Sequence, residues 1–187
     1  MRNIDFNKNL RKYKNIDFNK NLRKYKSIVL NKIWVSYGSE AFDPMEFMPI
    51  VIDMRCSVLN KPYGGLWASP ADSKYGWKDW CEIEDFRTDR LSVSFEFKLS
   101  VESKIYVIDN MADLECISTA GPNEMGRYYI NYELLLDKGY DGLFVTSYAA
   151  RAFHLYTNND LINDLNAWDC ESICIFNKDV VIPINKA

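Results

Sequence analysis

Three separated stretches hold residues suited to gripping a flat, charged ligand. Ser36-Tyr37-Gly38-Ser39 closes a predicted strand. Gly64-Gly65-Leu66-Trp67-Ala68-Ser69 sets two glycines just ahead of a tryptophan. Trp168-Asp169-Cys170-Glu171-Ser172-Ile173 puts two carboxylates at the mouth of a late strand. A glycine beside a strand end opens backbone N–H and C=O groups to a ligand. An aromatic leaving a glycine turn presents a flat face, and a carboxylate at a strand mouth reaches charge that develops on a substrate. One chemistry uses all three parts, the cleavage of NAD at its nicotinamide. The nicotinamide ring is a pyridinium cation, over which an indole face gains stacking and a cation–π term of about 0.5 to 2 kcal/mol. Breaking the glycosidic bond puts positive charge on the ribose, and fixed opposite charge aimed at it is often the largest catalytic term. The carboxylates of glycosidases are the nearest analogue.

In order and character these stretches resemble the ADP-ribosyltransferase superfamily, in particular its diphtheria-toxin and poly-ADP-ribose-polymerase branch of the His–Tyr–Glu type. That family opens with a strand ending in His-Gly-Ser or His-Gly-Thr, and Tyr37-Gly38-Ser39 stands in that place. Its Gly-x-Gly-Ile-Tyr-Phe-like segment is similar to Gly65-Leu66-Trp67-Ala68-Ser69, with Trp67 at the tyrosine. Its late Glu-Tyr-Ile-Val-Tyr strand is similar to Glu171-Ser172-Ile173-Cys174-Ile175-Phe176. The likeness runs over residues 33 to 184. It implies a mostly antiparallel, split β-sheet core with flanking helices, NAD as a consumed substrate, and no metal. It implies that Tyr37, Gly38, Ser39, Gly65, Trp67 and Ser69 hold the dinucleotide. Glu171 would stabilise the oxocarbenium-like ribose, with Asp169 as its companion. The acceptor of ADP-ribose is left open between protein, nucleic acid and water, and a bacterial or phage toxin or effector fits the size.

This chain departs from the family at two positions, with Tyr37 in place of histidine and Trp67 in place of tyrosine. A phenol still donates to a ribose hydroxyl, but the tyrosine also favours a catalytically inactive relative that serves as a binding module. Asp169 and Glu171 lie two residues apart, so an extended backbone sets both on one face. Asp141, in Tyr140-Asp141-Gly142, is a third candidate acid, although Asp-Gly is equally a turn signal. Trp67 suits loop packing as well as ligand binding. Trp77 and Trp80, at i and i+3, read as the core face of their helix, and His154 reads as structural. GxGxxG, GxxxxGK[ST] and GxSxG are absent, which leaves dehydrogenase, P-loop and α/β-hydrolase readings without support.

The elements that must position these residues alternate irregularly between strand and helix. Strands are predicted at Lys32–Tyr37, Leu91–Leu99, Lys104–Ile108 and Gly142–Thr146. Ser172–Phe176 and Val180–Ile184 are predicted to pair across Asn177-Lys178-Asp179. Helices are predicted at Ser73–Arg87, Asn110–Cys116, Ile130–Lys138 (stopped by Gly139) and Asn158–Asn166. Strands outnumber helices, which predicts an α+β fold with a largely antiparallel sheet.

The chain of 187 residues suits one domain with an appendage, and 48% hydrophobic residues supply a core. Residues 3–14, NIDFNKNLRKYK, recur letter for letter at 15–26. Each copy carries a helical stripe, Phe6, Leu10 and Tyr13 in the first, behind a capping Asp5. Ten Lys/Arg against two Asp give residues 1–32 a charge of +8, which leaves −11 on the rest of a chain of net −3. The expected organisation is a basic extension over 1–32 and a single domain over 33–187. The extension reads either as a steering arm for nucleic acid or another anion, or as a solvated appendage. No apolar run approaches the roughly 20 residues that span a bilayer, and no export signal is visible, so a cytoplasmic, non-membrane protein is expected. The five cysteines, Cys56, Cys81, Cys116, Cys170 and Cys174, are odd in number and read as free thiols.

Overall fold

A computed structural model describes residues 17–52, 61–119, 129–155, 165 and 167–184. The first repeat copy, His154's side chain and most of the helix expected at Asn158–Asn166 lie outside the described residues. Among the described residues seven strands form one sheet: β1 (Trp34–Tyr37), β2 (Leu66–Pro70), β3 (Ser94–Leu99), β4 (Ile105–Ile108), β5 (Gly142–Val145), β6 (Ser172–Ile175) and β7 (Val181–Pro183). Their spatial order is β4-β5-β6-β2-β1-β3-β7, and every pair is antiparallel except β4 with β5. The fold is α+β with a mixed, mainly antiparallel sheet.

Strands β4, β5 and β6 are buried along their whole length. That explains why their sequences are continuous apolar runs rather than alternating ones. Side-chain alternation deals their residues to two clusters. Leu143, Val145 and Cys174 join Tyr106, Leu114, Leu135 and Trp168 on one face. Phe144, Ile173 and Ile175 join Trp34, Phe97 and Val107 on the other.

The expected pairing of the last two strands is corrected. Strand β6 sits between β5 and β2, while β7 pairs with β3 at the far edge of the sheet. The short 3-10 turn Lys178–Val180 carries the chain away to an edge, where Pro183 lacks no needed donor.

The second repeat copy belongs to the domain instead of extending from it. Helix α1 (Phe18–Leu30) buries Tyr25 and Val29, with Phe18 and Leu22 packed against the core. Asn21 donates from Nδ2 to the Val107 carbonyl (2.8 Å) and accepts from the Val107 N–H (3.0 Å). Strand β4 is a sheet edge, so this amide takes the groups that another strand would have taken. The Tyr25 hydroxyl donates to Asp113 at 3.0 Å, and the Tyr140 hydroxyl donates to the Phe18 carbonyl at 2.9 Å.

The remaining helices are short: α2 (Trp77–Ile83), α3 (Met111–Ile117), α4 (Tyr132–Asp137) and α5 (Ser147–Leu155). Asn110 and Asn131 cap α3 and α4 through their side-chain oxygens. Helix α2 occupies only part of the expected Ser73–Arg87. It begins where the Gly76 N–H meets the Asp79 carboxylate (2.8 Å), and it ends before Asp85 and Arg87, both at φ +50°. Among the described residues no helix is long and apolar enough to cross a membrane.

Candidate functional site

The site begins with an interrupted ladder. Strands β1 and β2 pair only at Trp34 with Pro70 and Val35 with Ser69. Beyond that point Ser36 and Tyr37 continue along β3 alone, and Leu66, Trp67 and Ala68 continue along β6 alone. The sheet therefore splits where the first two sequence stretches meet. Cavities open on both faces of the split, and Trp67 lines both.

The first cavity is a cleft of about 310 Å³. Tyr37, Trp67 and Trp77 give it aromatic walls, Lys61, Arg87 and Arg90 give it positive charge, and Ser69 lies at its base. Trp67 is fixed by its Nε1, which donates to the Gly64 carbonyl at 3.1 Å, and by Trp168, whose ring lies 4.8 Å away. Lys61 Nζ stands 5.3 Å from the Trp67 ring and 3.6 Å from Asp169. Burial raises the Tyr37 phenol above its ordinary pKa, and Asp79, Glu82 and Glu96 add to the rise. Tyr37 is therefore a neutral hydrogen-bond donor near pH 7.

Trp77 corrects the expectation of a core face on its helix. Only Cys81 of α2 is buried. Trp77 stacks on Trp80 at 5.2 Å and 21°, with Phe86 edge-on to both, and this stack walls the cleft. Ser69 sets its height by accepting from the Trp77 N–H (2.8 Å) while donating to the Glu171 carbonyl (2.8 Å). Arg87 holds a left-handed backbone (φ +50°), which costs an L-residue roughly 1–2 kcal/mol. Neither Arg87 nor Arg90 makes an ion pair among the described residues. The cations were missed in the sequence because Lys61 lies outside any helix or strand and Arg87 and Arg90 share one short 3-10 turn, Thr88–Ser92 with Arg87 at its start, where no periodicity marks them.

The two acids part company. Strand β6 starts at Ser172, so Asp169 and Glu171 precede it and do not share a strand face. Glu171 is 8% exposed. It accepts from Ser73 Oγ at 2.6 Å and lies 4.0 Å from Lys32, and its N–H donates to the Tyr75 carbonyl. These bonds, with that from Ser69, clamp residues 69–77 onto the start of β6. Neither carboxylate lines the cleft, and Asp169 meets it through Lys61. Asp141 is a turn brace that accepts from the Lys104 N–H and from Asn177, both at 2.8 Å.

The glycines divide similarly. Gly38 (φ +94°) has open space where a side chain would stand, and its N–H donates to Val93. At Gly65 (φ +70°) a Cβ would lie 2.7 Å from Cys174 Sγ and 2.9 Å from the Ile175 carbonyl. The chain's own β6 fills the space a side chain would take at Gly65, while the glycine itself lines the second cavity. Ser39 donates to the Ala41 carbonyl and faces the second cavity instead of the cleft. Four cysteines, Cys81, Cys116, Cys170 and Cys174, are free thiols. Among the described residues no cluster of His, Cys, Asp or Glu is arranged to hold a metal ion.

No protein-family model, curated protein or solved structure matches this chain.

Proposed function

We propose that the cleft binds NAD and that the protein is an ADP-ribosyltransferase, cleaving NAD at nicotinamide and passing ADP-ribose to a macromolecular acceptor. The observation that carries this reading is the joint lining of one cleft by Tyr37, Trp67 and Trp77 with Lys61, Arg87 and Arg90. NAD needs both kinds of partner. Its flat rings stack on aromatic faces, and its pyrophosphate pairs with guanidinium and ammonium groups. The strand edges left by the split, at Ser36–Tyr37 and Trp67–Ala68, supply backbone groups for the carboxamide. In the reaction the bond from ribose C1 to the nicotinamide nitrogen breaks and neutral nicotinamide leaves. The acceptor's nucleophilic atom bonds to C1, and its proton passes to solvent. A carboxylate near that ribose stabilises the charge. Asp169, tied to the cleft by Lys61, is better placed than Glu171, whose carboxylate is held by Ser73. Glu171 acts as a positioning residue.

A second reading, a binding module without turnover, draws on the absence of either carboxylate from the cleft lining. Labelled NAD, incubated with the purified protein with and without cell lysate, separates the two. The transferase releases nicotinamide and labels a macromolecule, and Asp169→Asn lowers release about 100-fold at unchanged melting temperature. A folded protein that binds NAD and releases nothing is the module. A protein that does not bind NAD at all contradicts both.

A further inference from the structure

The second cavity lies on the opposite face of the split and differs in chemistry. It measures about 500 Å³ and is lined by Ser36, Phe42, Asp43, Glu46, Phe47 and Phe95, with Trp67 as the residue it shares with the cleft. Phe42 meets Phe95 at 6.1 Å and Phe47 edge-on at 6.4 Å. Strand alternation explains the contrast, because Ser36 points away from the face on which Tyr37 stands.

Two groups here lack the partners their chemistry calls for. Ser36 is only 7% exposed and lines the cavity, and its hydroxyl makes no hydrogen bond among the described residues. A hydroxyl without a protein partner on a cavity wall offers a ligand atom a hydrogen bond. At the rim, Asp43 accepts from the Met45 N–H (2.8 Å), and neither Asp43 nor Glu46 forms an ion pair among the described residues. Lys178 reaches this loop but donates to the Pro44 carbonyl at 3.3 Å, leaving both carboxylates open.

We infer that this cavity binds a cationic side chain of a protein partner, with an arginine guanidinium as the best fit. A planar delocalised cation stacks on phenyl faces. Its N–H fork satisfies carboxylates in pairs, and a further N–H can reach the free oxygen of Ser36. The same two carboxylates repel a phosphate backbone, so the surface selects protein over nucleic acid. The site stands on its own lining and does not rest on NAD binding. Trp67 lines both cavities, and only the service of a guanidinium held there as the acceptor rests on the transferase reading.

Calorimetry with an end-capped Gly-Arg-Gly peptide, in the absence of NAD, tests the inference. The arginine peptide binds, and the isosteric citrulline peptide binds at least 10-fold more weakly. Binding falls at least 10-fold in Asp43→Asn/Glu46→Gln and several-fold in Ser36→Ala, at unchanged melting temperature. NAD affinity, measured on Asp43→Asn/Glu46→Gln, stays at the wild-type value, so a failure of one site is distinguishable from a failure of the other. Equal binding of the two peptides, no binding, or full binding by the double variant overturns the proposal.

Discussion

Gly64 and Gly65 hold Trp67 in place from behind. Gly65 combines a left-handed φ of +70° with Cys174 Sγ and the Ile175 carbonyl in the space of a Cβ. Gly65→Ala is therefore expected to cost about 2–4 kcal/mol, by strain plus overpacking. Thermal unfolding checks this, and a wild-type midpoint would contradict it. Burial pushes the Cys170 thiol up to about 12, with Lys61 partly opposing. At pH 8 it stays protonated and inert. Iodoacetamide should leave Cys170 unmodified in the native protein and alkylate it after unfolding, and native modification would refute the buried placement. At this scale Tyr37, Trp67 and Ser69, three of the residues that line the cleft, were legible because they sit on strands flanked by glycines, whereas Trp77 was read as a core residue. Lys61, Arg87 and Arg90 were illegible, because nothing local fixes where a loop cation points.

The repeat poses a question of register at the scale of elements. Both copies carry the same Phe, Asn, Leu and Tyr, and the helix of the second packs against the sheet. The two copies differ in the residues just beyond their C-terminal ends. Four residues after Tyr25 comes Val29, 2% exposed in an apolar cluster, whereas four after Tyr13 comes Asp17. Seating the first copy in the groove would bury a carboxylate among apolar side chains. Deleting 3–14 or 15–26 yields the same shortened sequence, in which the remaining copy runs into Ser27-Ile28-Val29-Leu30. That chain should melt within a few degrees of the full one, whereas deleting 1–26 removes Asn21 and Tyr25 and should abolish cooperative unfolding. A large loss on deleting one copy would contradict this account. The helical stripe of the repeat was readable from spacing, and so was the helix that opens at Asn110, whereas the cap at Asn131 was not, because the helix was expected to start at Ile130. The partners of β6 and β7 were not, because period-2 patterns give a strand's faces but not its neighbours.

For the molecule as a whole, the sheet's split decides where chemistry can occur. A continuous β1–β2 ladder would close both cavities. The ladder stops after two residue pairs, and the open stretch presents a basic aromatic cleft on one face and an acidic aromatic cavity on the other. The domain is acidic overall, so three cations gathered in one cleft focus an anionic ligand there and not elsewhere. The central claim is that this cleft is a dinucleotide site. Its most direct test is calorimetric titration of NAD into the full chain and into Arg87→Ala/Arg90→Ala, with melting temperatures taken in parallel. The account predicts saturable binding to the full chain and at least 10-fold weaker binding to the equally stable variant. No binding to the full chain, or equal affinity in the two, would contradict it.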